Sequence, residues 1–324
     1  MCHVTEQGMW PLEGYFECAG SDLFVKLECL GGAYESQTAL RPITVLFPHS
    51  DNPDFNMPLA RPAWKFVHPD RPGDTAPNAD PRWGAIGSMT EPDEKFPGYA
   101  AVHSCLVYAS VQASDEDDFR KKVSGFTREL DAWWTAFTDW LGVMSVQNFV
   151  GLGRRPRSIL EHGVHAWSGD QQGNRHTACG AVVHVVPAEP ETLTRAEIER
   201  AMVLARHSTR PPVAWRLIAD ARSLLMGREN RRAVLEAGTA AELALHALLE
   251  QEIPGIQLDR HTLGMLRDEA DRRIPQLLPG HVRDDLVLPR NDAIHRASEE
   301  PDRPTAAQAV VKAAEVVQAA YPDA

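Results

Sequence analysis

The apolar residues of this chain change their period at Pro187-Ala-Glu-Pro190 and do not change back. Beyond that point the core-forming positions recur at three- and four-residue steps. One segment carries Val234, Gly238, Ala241, Leu245 and Leu248, and another carries Val310, Ala314, Val317 and Tyr321. That spacing lays one stripe along a helix. Thr194-Arg-Ala-Glu197 reads as a capping box opening a helix to about His207, which Arg210-Pro211-Pro212 stops. Further helices are predicted over 213–226, 229–251 and 261–273, then as a pair split at Pro301-Asp-Arg-Pro304. Amphipathic helices joined by short turns make an antiparallel bundle.

The first part of the chain reads differently. Tyr15 to Cys18, Leu23 to Leu30, Ile43 to Phe47 and Ala100 to Val111 are short, β-branched or aromatic, and partly alternating, as strands are. Ten of the fifty residues from Pro48 are proline, which excludes helix and central strand and predicts a long surface excursion. One helix is expected here, over 115–141. Phe119, Val123, Phe126, Leu130, Trp133, Phe137 and Trp140 form its stripe, and Ser114 with Asp117 is its expected N-cap. The stripe reads as core packed across a sheet, with a ligand-lining role as the alternative. Strands are expected again at His162 to Trp167 and Ala178 to Val186.

The 324 residues exceed what one core usually organises. The expectation is an α+β chain of two domains. Residues 1–190 form a β-rich, sandwich- or barrel-like unit with one long amphipathic helix, 191–212 a helical linker, and 213–324 an all-α bundle. No apolar run approaches the roughly 18–20 residues of a membrane span, and MCHVTEQGMW lacks the pattern of a secretory signal. Five scattered cysteines without a Cys-x-x-Cys pair fit reduced thiols. These observations predict a cytoplasmic protein with no membrane contact. The net charge of −12 argues against charge-driven binding to nucleic acid in general. From Arg210 onward, however, 15 Lys/Arg face 18 Asp/Glu, against 18 and 27 in the first 209 residues. The near-neutral, arginine-rich C-terminal third leaves room for a local basic groove there.

The sharpest chemical feature is Pro289-Arg290-Asn291-Asp292-Ala293-Ile294-His295, where proline suits a helix start. Arginine five residues before histidine is a cheap pattern. With 27 Arg and 13 His, chance supplies about one such pair; the chain has two, the other being Arg157 with His162. Helical surroundings set Arg290 and His295 apart. Asn291 and His295 are four residues apart and share a face, while Arg290 lies about 140° from the histidine, within reach only of a curling arm. A permanent cation for phosphate, an imidazole and an amide on one patch suit metal-free RNA cleavage. The imidazole takes the 2′-hydroxyl proton and the guanidinium stabilises the phosphorane. The same residues also read as a solvated Arg and His capping a helix.

The stretch from about 213 to 322 resembles a HEPN domain, the higher eukaryote and prokaryote nucleotide-binding helical bundle. The likeness is carried by the long helix from Arg231 through Glu242, the connector His261-Thr-Leu-Gly-Met-Leu, and Arg290-Asn-Asp-Ala-Ile-His295 before a final Ala-rich helix containing Glu315. The family signature is Arg, four to six residues, then His, often with a polar residue directly after the Arg. Arg290, Asn291 and His295 match it. The resemblance implies a metal-independent endoribonuclease with no cofactor, its site formed where two copies meet at a two-fold axis, in a toxin or anti-phage effector. It equally implies non-catalytic members that serve as dimerisation or nucleotide-binding modules.

On that resemblance Glu242 has a supporting place, orienting His295 or an arginine; the plainer reading is an ion pair with Arg231, Arg232 or Arg290. Arg228, Arg231 and Arg232 are candidate RNA-backbone contacts or a solvated helix start. In the first part, Glu161, His162, His165, Asp170, His176 and His184 suggest a metal hydrolase only weakly, since His162 and His165 point to opposite faces of a strand. No metal is expected. Gly151-Leu-Gly153 lacks the rest of a phosphate loop. The expected partners are RNA, a second copy through the bundle, and a trigger ligand or protein at the β-rich part. The alternative is a bundle that dimerises without cutting while the β-rich part binds a ligand or protein.

Overall fold

The computed structural model describes residues 9–17, 23–50, 58–60, 62, 83–87, 98–145, 164–169, 175–181, 192–296 and 300–322. Its strands are β1 (Met9–Glu17), β2 (Leu23–Lys26), β3 (Ala33–Gln37), β4 (Pro42–Leu46), β5 (Gly84–Gly87), β6 (Tyr99–Val102), β7 (Ser104–Gln112), β8 (Val164–Gly169) and β9 (Arg175–Ala181). Helices are α1 (Glu116–Met144), α2 (Arg195–Leu204), α3 (Val213–Met226), α4 (Asn230–Glu252), α5 (Leu263–Arg273), α6 (Leu288–His295) and α7 (Arg303–Ala320). The class is α+β, with small antiparallel sheets in the first part and helices throughout the last. For β1, β8 and β9 only the backbone is described.

Pairing makes a four-stranded sheet in the order β1-β7-β4-β3, a three-stranded sheet β2-β6-β5 and the hairpin β8-β9. The expected strand Ala100 to Val111 is two strands, because the chain passes from one sheet to the other at His103. β2 stops at Lys26, and Leu27–Cys29 forms a 3-10 turn instead of continuing. β3 was not legible in the sequence because its inward positions are Tyr34 and Ser36. Ser36 is buried as a polar link: Trp133 Nε1 donates to its Oγ at 3.0 Å, and Oγ donates to the Met202 carbonyl at 2.8 Å.

The proline-rich stretch is not wholly a surface excursion. It contributes the edge strand β5, and Leu59, Trp83 and Ile86 are buried. An edge position tolerates this, since Pro58 meets Ala85 only through an isolated bridge. The apolar stripe of α1 is core: Phe126, Trp133, Phe137 and Trp140 are buried, and Trp133 stacks on Phe137 at 5.2 Å. Its N-cap is Asp115, one residue later than expected, because the Asp115 carboxylate accepts from Asp118 N–H at 2.8 Å. Ser114 instead donates its own N–H to Asp118 at 2.9 Å.

The capping box of Thr194 and Glu197 opens α2 as the sequence indicates. The helix ends at Leu204, short of His207, because His207 and Ser208 adopt positive φ and turn the chain through a 3-10 turn. Leu193, just before the cap, bridges in parallel to Val25 of β2. The segment read as a linker is therefore woven into the sheets at its start. One buried apolar cluster continues from the sheets through α1 and α2 into the bundle. Polar ties reinforce the junction: Trp140 Nε1 to the Thr209 carbonyl at 2.8 Å, Arg210 to Asp139 at 2.6 Å, and Arg222 to the Val143 carbonyl at 2.9 Å. Within the bundle α4 is the central helix, packed by α3, α5, α6 and α7. No helix among the described residues is long and apolar enough to cross a membrane.

Candidate functional site

Only Ala293 is buried on the eight-residue α6, so packing alone does not fix this helix. Its start is set by a π turn, Arg283–Val287, in which Leu288 N–H reaches five residues back to the Arg283 carbonyl. Pro289 accounts for the widening. It has no N–H to give, and its ring would collide with the carbonyl four residues earlier in a regular helix. The turn is held by α7: Gln308 donates to Asp285 at 3.3 Å, and Lys312 Nζ lies 4.0 Å from the same carboxylate. Lys312, nine-tenths buried, also pairs with Glu315 at 2.6 Å.

The far end of α6 is tied to the start of α4. Arg231 donates its guanidinium to the Ala293 carbonyl, which would otherwise be an unpaired helix-end acceptor. Arg231 N–H donates to Glu300 at 2.9 Å, and Asn230 donates to the Pro301 carbonyl at 3.0 Å. Arg231 is thus a structural clasp, unlike the RNA contact considered from sequence. Arg228, at φ 61° in the α3–α4 turn, and Arg232 are both exposed.

Arg290 lies over α4. A Cβ at Gly238 would stand 2.6 Å from Arg290 Cγ, so the missing side chain is what lets the arginine stem cross there. The guanidinium then reaches Glu242 at 3.4 Å, with the two side chains 23% and 35% exposed. Of the arginines offered as partners for Glu242, it is Arg290 that pairs. Its stem crosses α4 at Gly238 and its guanidinium meets Glu242, one turn further along that helix. His295, the last residue of α6, is exposed, and Asn291 on its face is half-buried. Among the described residues no hydrogen bond or ion pair engages the His295 ring. One protomer therefore brings Arg290 and Glu242 together but leaves His295 some 140° round the helix.

Two residues of this arrangement carry sequence signals of their own. A glycine inside a helix costs about 1 kcal/mol against alanine, so Gly238 marked a close approach as well as a stripe position. Lys312 is the only lysine after Lys122 and falls on the apolar face of α7. His246 stands one turn beyond Glu242, with Nδ1 3.4 Å from Glu250. Elsewhere in the bundle, burial pushes the Asp220 carboxyl above its ordinary range, and Glu236 and Asp139 add to this.

In the β-rich part, burial pushes the Cys29 thiol up to about 11, so it is not a ready nucleophile. An open groove of about 590 Å³ on the outer face of the four-stranded sheet is lined by Glu35, Arg41, Thr44, Tyr108, Ser110 and Lys122, among others. Among the described residues no cluster of three or more His, Cys, Asp or Glu could hold a metal ion. Glu161, His162, Asp170 and His184 lie outside the described residues, as does the Gly151–Gly153 loop; His165 and His176 are described only as backbone in β8 and β9. Comparison with protein-family models, with curated proteins and with solved structures finds no match to this chain.

Proposed function

We propose that the chain is a metal-independent endoribonuclease of the HEPN type, working as a toxin or anti-phage effector. In this reading the bundle cuts RNA and the β-rich part senses a trigger. The supporting observation is α6 itself: a short helix tied at both ends that carries a partly exposed guanidinium and an exposed imidazole with no partner among the described residues. Because the two groups diverge on one protomer, the working site combines Arg290 of one copy with His295 of another. Exposed Ile294 on α6 and Leu243 on α4 supply apolar surface for that meeting. Arg290 holds the phosphate, exchanging Glu242 for it, and Asn291 orients the substrate. His295 moves a proton at the reacting oxygens. Attack of the 2′-oxygen on phosphorus with loss of the 5′-oxygen leaves a 2′,3′-cyclic phosphate, so DNA is not a substrate.

The test is cleavage of labelled RNA by the full chain with chelator present. His295→Ala is expected to abolish cutting, and equal cleavage by both proteins would remove the assignment. Mixing Arg290→Ala with His295→Ala is expected to restore activity, since the mixed pair holds one intact site.

A second reading has the bundle dimerise without cutting while the β-rich part binds a ligand or protein. It is favoured by the engagement of Arg290 with Glu242 and of Arg231 with Ala293, and by the groove beside Tyr108. A dimer that neither cleaves RNA nor binds it at low salt would select this reading.

A further inference from the structure

Gly238, Glu242, His246 and Glu250 follow one another at four-residue steps along α4, each one turn beyond the last. Four residues advance the helix by about 6 Å and drift by about 40°, so the row winds gradually out of the interior. The exposures follow that drift: Gly238 is buried, and the side chains of Glu242, His246 and Glu250 are 35%, 41% and 58% exposed. Arg290 is laid along this same row, its stem over Gly238 and its guanidinium at Glu242, pointing toward the His246 end. Glu250 lies 3.4 Å from Nδ1 of His246, so that carboxylate stands on the Nδ1 side of the ring and Nε2 lies on the other side. The imidazole that shares a surface with the phosphate-binding guanidinium inside one protomer is therefore His246.

We infer that His246 is a second catalytic histidine of the proposed ribonuclease, acting as the general base beside Arg290. The inference rests on the ribonuclease reading and divides its chemistry between two rings. His246 Nε2 takes the 2′-hydroxyl proton as the 2′-oxygen bonds to phosphorus. The P–O5′ bond breaks, and His295 of the second copy gives its proton to the departing 5′-oxygen. The products are the cyclic phosphate and a 5′-hydroxyl, with no oxidant, reductant or metal required.

The test uses the full chain. His246→Ala, at an exposed position, is expected to fold with an unchanged melting temperature and to lose about a hundredfold or more in kcat with little change in KM. Added imidazole restores part of the rate. A substrate with sulfur in place of the 5′-oxygen needs no proton on its leaving group, so it rescues His295→Ala but not His246→Ala. A second readout is independent of cutting. In protein carrying carbon-13 histidine, a dinucleotide lacking the 2′-hydroxyl is expected to move the His246 resonance, and Arg290→Ala to abolish the shift. If the wild type does not cut but the resonance moves, the ribonuclease reading fails while the pairing of His246 with Arg290 at a bound nucleotide stands. Wild-type kcat in His246→Ala, or a resonance that does not respond, overturns the inference.

Discussion

Helices α1 and α6 are held in place by opposite means. α1 is 29 residues long, buries Phe126, Trp133, Phe137 and Trp140, and packs against β7, α2 and α3. Each such aromatic gains roughly 1.5–3 kcal/mol on burial, so its position is fixed by apolar area. α6 has eight residues, buries Ala293 alone, and is positioned by polar clasps: Pro289 and the π turn at its start, the Lys312 and Gln308 contacts to Asp285, and Arg231 at its end. A helix fixed by area has few polar groups to spare. A helix fixed at its ends leaves His295 exposed and Arg290 and Asn291 only half-buried.

Four substitutions press on this contrast. The largest effect is expected from Trp133→Ala, which opens a cavity under the sheet and leaves Ser36 without its donor. A loss of about 3–5 kcal/mol in denaturant unfolding is expected. A loss below 1 kcal/mol would mean that α1 is not held by its stripe. Arg231→Ala leaves the Ala293 carbonyl unpaired and is expected to cost about 1–3 kcal/mol. The loss should be concentrated in α6, read as faster amide exchange over Leu288–His295 than over α4. Uniform exchange across both helices would break the distinction between clasp and core.

Gly238→Ala tests the stem of Arg290 directly. The new methyl would meet Cγ at 2.6 Å, so the arginine must leave its track, while helix propensity repays about 1 kcal/mol. Global stability is expected to move by less than about 1 kcal/mol and RNA cleavage to fall about tenfold, the activity loss being what separates a site from a packing contact. The smallest effect is expected from Asp220→Asn. The native carboxyl holds its proton more tightly than the unfolded one. Stability is therefore lost as pH rises through that raised range, and the deficit persists at neutral pH. The asparagine variant should melt higher than the wild type at pH 7, with the gap closing as pH falls into the carboxylate range. A gap that widens on acidification would contradict the burial of Asp220.

The bundle was readable because helical period, capping and proline placement are local: α2 opens at Thr194, α3 after Pro212, α7 after Asp302, each within a few residues of the expectation. The strands were less so. Ser36 faces inward on a hydrogen bond from Trp133, a partner 97 residues away, and β5 sits inside a proline-rich stretch because Ala85 and Ile86 find partners on β6. Of the candidate site, the residue types were legible and their meetings were not. Glu242 is drawn to Arg290 across 48 residues, and the place of His246, one turn beyond that pair, depends on the same long-range meeting.

Sequence by itself determined where helices start and stop in the last third of this protein and which residues there can carry charge, hold phosphate or move a proton. Those properties depend on spacing of a few residues and on side-chain chemistry. Tertiary structure alone decided that Arg290 crosses α4 over Gly238 and reaches Glu242. That choice was made where two helices separated by some fifty residues came close enough for one missing methyl group to open the path.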